Sequence, residues 1–405
     1  MDDQDALFAL PGLSGHSDLG TISDGFDPAR LTQARSAAGL SKAKLAEKVR
    51  VTPAAIGQYE SQVVAPRRDI LPALARALQV PVDYFATGRP IGRVDGSQAH
   101  FRSLRSTTAR DRSKAIAFIE QVWELTFALE KKVRFPEADL PVLDRDLSDP
   151  VSAAQILRNH WGLGVKPVKH LVALVESRGI VVSLLTLANA DVARVGAFST
   201  SHLDRPVIVV TPERAKSVFV YRFTIAHELG HLLLHGEAAP GDKQQEREAD
   251  QFAAEFLTPR SQIVNLLPRT VNLSRLDQLS RHWGVSVDSL LLRMKETGTV
   301  SEASIRRGYQ KLNQLRNSGL ETSEPVNAYP GEIPSMLAEA AELAEEAGYG
   351  QADLAQDLRW HPARVREVLG IDDPRPVLRL VGDNVVAEEP EIAAAPTPHA
   401  RSRTV

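Results

Sequence analysis

The stretch FTIAHELGHLLLHG carries the most specific chemistry in the chain, because it sets His227 and His231 four residues apart with Glu228 beside the first of them. On a helix that spacing brings both imidazoles out of one face about one turn apart, so two neutral nitrogens can hold one metal ion. Glu228 can then reach a metal-bound water without becoming a ligand, as metal-assisted hydrolysis requires. A catalytic zinc takes a third protein ligand and keeps its fourth position for water. The downstream segment EREADQFAAEFLTP offers candidates: by helical spacing Glu246, Ala249, Asp250, Ala253 and Phe256 share one face, whereas Glu248 and Glu255 point elsewhere. Glu246 is the expected ligand and Glu248 the alternative. Asp250, one turn on, is expected to accept the free ring N–H of a ligating histidine and fix its tautomer. His235 continues the row on the first helix, but a straight helix carries it too far along the axis to share the ion, so it is expected behind the ligands or in the cleft. Tyr221, Arg222 and His235 lie nearest in sequence as candidates for stabilising an oxyanion.

Elements must position these groups, and composition limits which ones. The chain has 405 residues, 43% of them apolar and 24% charged, enough for more than one core. It has no cysteine, which excludes disulfides, thiolate metal sites and cysteine nucleophiles. Imidazole and carboxylate ligands suit Zn2+, with Mn2+ or Fe2+ as alternatives. No apolar run approaches the roughly eighteen residues of a membrane span, and the first residues, MDDQD, are acidic, so a cytoplasmic protein with no membrane partner is expected. The net charge is −3, so any affinity for DNA has to come from a local basic face.

Such a face is found near the start. Ser41 is placed to cap a helix through Lys42, Leu45 and Val49; a tight turn at Arg50 and Val51 leads to Thr52, which caps a second helix, PAAIGQYE, with Pro53 at its first position. Two helices joined this closely form a helix-turn-helix, whose second helix enters the major groove. Residues 41–70 carry Lys42, Lys44, Lys48, Arg50, Arg67 and Arg68 against Glu47, Glu60 and Asp69, a balance that favours DNA. A small helical bundle used for protein contacts is the competing reading.

The remaining organisation follows from periodicity and breakers. Residues 1–26 and 374–405 read as disordered ends. Residues 27–88 form the helix-turn-helix domain, and 89–149 a linker followed by a long connecting helix in AIAFIEQVWELTFALEKKV. Residues 150–268 form a mixed region with the strand-like runs GIVVSLL and RPVIVV, and 269–373 a C-terminal helical region. Within the last, AEEAGYGQADLAQDLRWHPARVREVLG reads either as a second helix-turn-helix with Trp360 in its core or as a packing module. Arginines 102, 105, 110 and 112 read as a solvated basic face or as added phosphate contacts.

LTQARSAAGLSKAKLAEKVRVTPAAIGQYESQVVAPRRDILPALARALQVPVDYF resembles the lambda-repressor-like, or Xre, family of five-helix DNA-binding domains. The resemblance implies base contacts by Pro53, Ala54 and Gln58 beside the cap Thr52, and phosphate contacts by Lys42, Lys44 and Arg67. Only Gln58 of the first group can make a bidentate base contact. That family commonly has Gly where this chain has Arg50, which must then accept a positive φ or a different turn. YRFTIAHELGHLLLHG followed by EREADQFAAEFLTP, with flanking similarity from about 150 to 310, resembles the ImmA/IrrE family of metallopeptidases. The fold expected is therefore multidomain and mainly α, with an α+β zincin-like metallopeptidase domain behind the DNA-binding one. The resemblance implies a zinc endopeptidase whose substrate is a repressor or antitoxin-type protein, in a stress-response or mobile-element setting. Double-stranded DNA is the other expected partner, and paired half-sites would suit a homodimer. The rival reading is a transcriptional regulator or antitoxin-like protein whose metallopeptidase fold senses a ligand or binds a partner without proteolysis. In that case Glu228→Gln would leave regulation intact.

Overall fold

A computed structural model describes residues 19–94, 100–101, 108–143, 149–184, 196–200, 203, 205–211, 213–235, 243–319 and 324–371. It is mostly helical, with a helix-turn-helix domain first and an α+β part behind it.

The N-terminal helices are α1 (Leu19–Asp24), α2 (Pro28–Ala37), α3 (Lys42–Val49), α4 (Pro53–Glu60) and α5 (Leu71–Leu78), followed by a 3-10 turn over Val82–Phe85. Each capping residue does local work: Asp27 accepts from Ala29 N, Ser41 from Lys44 N and Thr52 from Ala55 N, so otherwise orphaned amides are satisfied. Arg50 ends α3 in the left-handed region, φ 56° and ψ 44°, and the turn keeps its tight form without the glycine. The expectation of a disordered start fails for residues 19–26. Ile22 and Phe26 are buried in the core, and the Phe26 ring lies 6.1 Å from that of Phe85. Residues 1–18 and 372–405 lie outside the described residues, as do arginines 102 and 105.

Helix α6 (Ala109–Glu130) opens on a capping box between Thr108 and Asp111 and is buried on nearly all sides. Expected as a connector, it is instead the centre of the first core, because apolar helices reach it from both ends of the chain. Its buried polar groups are matched: Gln33 Nε2 on α2 donates to Glu120 at 3.2 Å and to Glu124 at 2.7 Å, and Arg30 pairs with Glu124. Arg110, read from sequence as a phosphate or solvent group, donates to the Gly39 carbonyl.

The sheet comprises β1 (His100–Phe101), β2 (Val181–Leu184), β3 (Ala197–Thr200) and β4 (Val207–Val210), in the order β1-β3-β4-β2. β2 and β4 are parallel, β3 is antiparallel to β4, and β1 is antiparallel to β3. Strand alternation divides the side chains, so Val181, Phe198, Val207 and Val209 enter the first core while Val182, Ala197, Ile208 and Val210 enter a second. That second core also takes α7 (Pro150–His160), α8 (Leu171–Ser177), α9 (Val218–Leu234), α10 (Lys243–Leu257), α11 (Arg260–Leu266), α12 (Leu273–Trp283), α13 (Val287–Glu296) and α14 (Glu302–Asn317).

The three last helices, α15 (Met336–Glu346), α16 (Gln351–Leu358) and α17 (Pro362–Leu369), return to the first core. The stretch treated in sequence as one C-terminal helical region is thus shared between two cores. These helices repeat α2–α4 position for position, each number higher by 309: buried Leu45, Ala46, Val49, Ile56 and Tyr59 answer to Leu354, Ala355, Leu358, Val365 and Val368. Gly39 and Gly348 both have positive φ, as do Arg50 and Arg359 at 56° and 51°. The segment is a second helix-turn-helix in geometry, with Trp360 buried. Its surface has the opposite charge, since Lys42, Lys44 and Lys48 are answered by Gln351, Asp353 and Asp357. Arg359 faces the first unit, donating to the carbonyls of Asp83, Ala86 and Thr87. The copy packs on the first helix-turn-helix unit, and Arg364 and Arg366 of α17 stand where that unit has Ala55 and Gly57.

Candidate metal centre

Helix α9 runs beneath the sheet and is buried along almost its whole length, which suits its apolar sequence. His227, Glu228 and His231 are 0–1% exposed. The Nε2 atoms of His227 and His231 are 3.0 Å apart. Helix α10 lies across α9 and brings Glu246 opposite the pair, Oε2 3.6 Å from His227 Nε2 and Oε1 3.5 Å from His231 Nε2. Among the described residues these three offer one ligand atom each, all within 4.8 Å of one another. Tetrahedral zinc with bonds of about 2.0–2.2 Å sets its ligand atoms roughly 3.3–3.6 Å apart, so this donor set fits a small divalent cation. Burial opposes ionisation of Glu246, but the facing imidazoles of His227 and His231 outweigh it and hold its carboxyl down at about 2.

The far side of each imidazole is also engaged. His227 Nδ1 lies 2.8 Å from Asp250 Oδ1. His231 Nδ1 lies 3.0 Å from His235 Nδ1, and His235 Nε2 lies 2.9 Å from Glu248 Oε2. One tautomer set satisfies both chains. With Nε2 of His227 and His231 kept as bare acceptors for a cation, His227 donates from Nδ1 to Asp250, His231 donates from Nδ1 to His235, and His235 donates from Nε2 to Glu248. Glu248, the alternative ligand in sequence, is thereby bonded to His235 and also accepts from Gln244. His235 caps the C-terminus of α9, where its chain turns away from the helix axis.

Glu228 receives a hydrogen bond from Ser199 Oγ on β3 at 2.7 Å, and both side chains are fully buried. Sequence reasoning did not find Ser199; alternation in GAFST, which turns Ala197 and Ser199 to the α9 side, was the available signal. Of the oxyanion candidates, Arg222 is engaged elsewhere and Tyr221 is buried in the second core. Arg222 donates to the carbonyls of Val168 and Gly284 and pairs with buried Glu332, which also caps α8 through Leu171 N at 3.0 Å and Val172 N at 3.2 Å. The Tyr221 hydroxyl lies in the second core with no hydrogen-bond partner among the described residues, and burial pushes its pKa well above the usual value.

Residues 175–295 match the Peptidase_M78 family, described as an IrrE N-terminal-like domain, and residues 31–85 match a helix-turn-helix family. The chain joins an Xre-type helix-turn-helix to an IrrE-like peptidase domain. The matched peptidase segment contains β2–β4, α9 and α10, and so every group of the metal centre described above. No curated protein matches the chain.

In the helix-turn-helix domain Lys44 on α3, the cap Thr52, and Pro53, Ala54 and Gln58 on α4 are exposed. Lys42, half exposed, lies 3.2 Å from Glu60, and Arg67 lies 3.5 Å from Asp69 with its side chain 79% exposed. A phosphate would therefore compete with Glu60 for Lys42. Among the described residues no helix is long and apolar enough to cross a membrane.

Proposed function

We propose that this protein is a zinc-dependent endopeptidase coupled to DNA binding, which cleaves a repressor or antitoxin-type protein and so controls transcription in a stress response or a mobile-element setting. The observation that carries the reading is the convergence of His227, His231 and Glu246 on one point, with Glu228 buried beside them and oriented by Ser199. A zinc ion there would supply a Lewis acid for water and for the scissile carbonyl. Glu228 takes the proton of the attacking water and delivers one to the departing amine. Asp250 and the His235–Glu248 pair hold the two imidazoles in the tautomer that presents Nε2. The DNA-reading part is assigned to residues 27–88, with Lys44 and Arg67 on phosphates and Gln58 on a base edge, and the peptidase to residues 150–268. A cytoplasmic homodimer on paired half-sites belongs to the same reading.

The test is elemental analysis of the purified protein together with a cleavage assay. About one zinc per chain, lost in His227→Ala and Glu246→Ala, retained in Glu248→Ala and Glu228→Gln, with proteolysis abolished by Glu228→Gln, is the expected outcome. A protein that takes up no metal when zinc is supplied would overturn the reading.

A further inference from the structure

β1 is the element that neither periodicity nor composition called for. It lies on the outer edge of β3, with His100 opposite Ser199 and Phe101 opposite Phe198. β3 is the strand whose Ser199 holds Glu228, and its other edge is already paired to β4. An extended peptide added to β3 from outside would lie one strand spacing, about 4.8 Å, from the backbone that positions the general base. Strand addition to an exposed edge is a general mode of peptide recognition. In this chain that edge is taken by its own residues. We propose that His100–Phe101 is an internal substrate-like strand, which occupies the peptide-binding edge of the peptidase and which a foreign substrate has to displace; this rests on the peptidase reading above.

Two further observations support the assignment. β1 has only two residues, against the five or six of an ordinary structural strand, so it contributes little pairing of its own and is exchangeable. The nearest described residues on either side of it, Val94 and Thr108, are fixed in place. Val94 is buried and its amide donates to Glu120 at 3.2 Å, and Thr108 is fixed by the α6 capping box. A short tether raises the effective concentration of a segment to about 1 mM. For an intrinsic dissociation constant on the order of 100 μM, occupancy by the tethered strand weakens a competing peptide about tenfold. The tether also joins the DNA-binding domain to α6, so whatever displaces the strand acts on the connection between the two.

The experiment uses the full chain carrying Glu228→Gln and supplied with zinc, so that binding is read without cleavage. A fluorescent peptide of sequence DGSQAHFRSLRST, residues 95–107, is titrated into this chain and into one whose residues 95–107 are replaced by the same number of Gly and Ser residues. Binding about tenfold tighter to the replaced chain, with a smaller gain for Phe101→Pro, which removes a strand donor, is the expected result. Equal affinity for both chains, or no binding to a replaced chain whose metal content and melting temperature are unchanged, overturns the proposal. Hydrolysis between residues 95 and 107 in the chain with Glu228 intact also overturns it, since the segment would then be a substrate. Because the anisotropy readout does not need turnover, a failure of proteolysis leaves this result standing, and the two readings fail separately.

Discussion

The two groups behind the histidines differ in setting, and that difference ranks their effects on metal affinity. Asp250 lies 2.8 Å from His227 Nδ1, but its side chain is 54% exposed, so water replaces much of what Asp250→Ala removes. His235 lies 3.0 Å from His231 Nδ1 with a side chain only 5% exposed, and it is held in turn by Glu248. Removing it leaves a buried ring N–H with no acceptor. Groups of this kind are worth about 10–100-fold in metal affinity. Asp250→Ala should therefore fall near the low end, about tenfold or 1.4 kcal/mol. His235→Ala should approach 100-fold, about 2.8 kcal/mol, and Asp250→Asn should recover most of the first loss because it keeps an acceptor. Competition with a chromophoric zinc chelator measures both. If neither change weakens binding, or if Asp250→Ala costs more than His235→Ala, the imidazoles are not presented through Nε2 by these partners and the tautomer assignment fails.

Glu332→Ala strands the Arg222 guanidinium in the interior and uncaps α8, so unfolding in urea should show a loss of about 3–5 kcal/mol; a loss below 1 kcal/mol would mean water reaches the site. Burial pushes Glu120 up from the usual carboxylate range to about 7. The folded chain then binds a proton that the unfolded chain has already released, so this group's contribution falls as pH rises from about 4.5 to about 7. Glu120→Gln should reduce the slope across that window, with Glu176, which burial also raises to about 7, supplying the remainder, and an unchanged slope would remove Glu120 as a source. In DNA binding, Lys44→Ala should weaken affinity for all sequences and reduce the salt slope by about 1, whereas Asp353→Ala at the equivalent position of the second unit should change neither. A larger effect of Asp353 in gel-shift titrations would put DNA on the wrong unit.

What the sequence made legible was local. The spacing of His227, Glu228 and His231, the caps Ser41 and Thr52, and the apolar runs of β2 and β4 each depend on residues a few positions apart, where helix and strand periods leave a direct trace. Glu246 could be preferred over Glu248 by helical phase alone. The positive φ of Arg50 was visible only as a conflict, because tertiary packing decides whether a non-glycine residue accepts it. Illegible from sequence were the partners set by folding at long range: Ser199 on Glu228, Glu332 on Arg222, and the return of α15–α17 to the first core. α6 read as a connector since its own pattern shows burial without showing what buries it.

Those long-range partners form a continuous path between the two functional parts. Arg222 stands on the helix of the metal centre and is neutralised by Glu332, which also caps α8. At its other end α8 carries Glu176, whose carboxylate accepts from the amides of Ser335 and Met336 and so starts α15. From there α16 ends at Arg359, bonded to the carbonyls that close the helix-turn-helix domain, while Arg89, directly after that domain, donates back to Leu358. Each link is a buried or half-buried charge whose removal leaves its partner unsatisfied, so none can shift alone without cost. The charge-reversed copy serves as a packing link: its turn arginine faces the first helix-turn-helix domain and its first helix is anchored by Glu176 of α8. A substrate strand that displaces β1 and a DNA site that engages α4 would act on opposite ends of this path, with α6 packed between them.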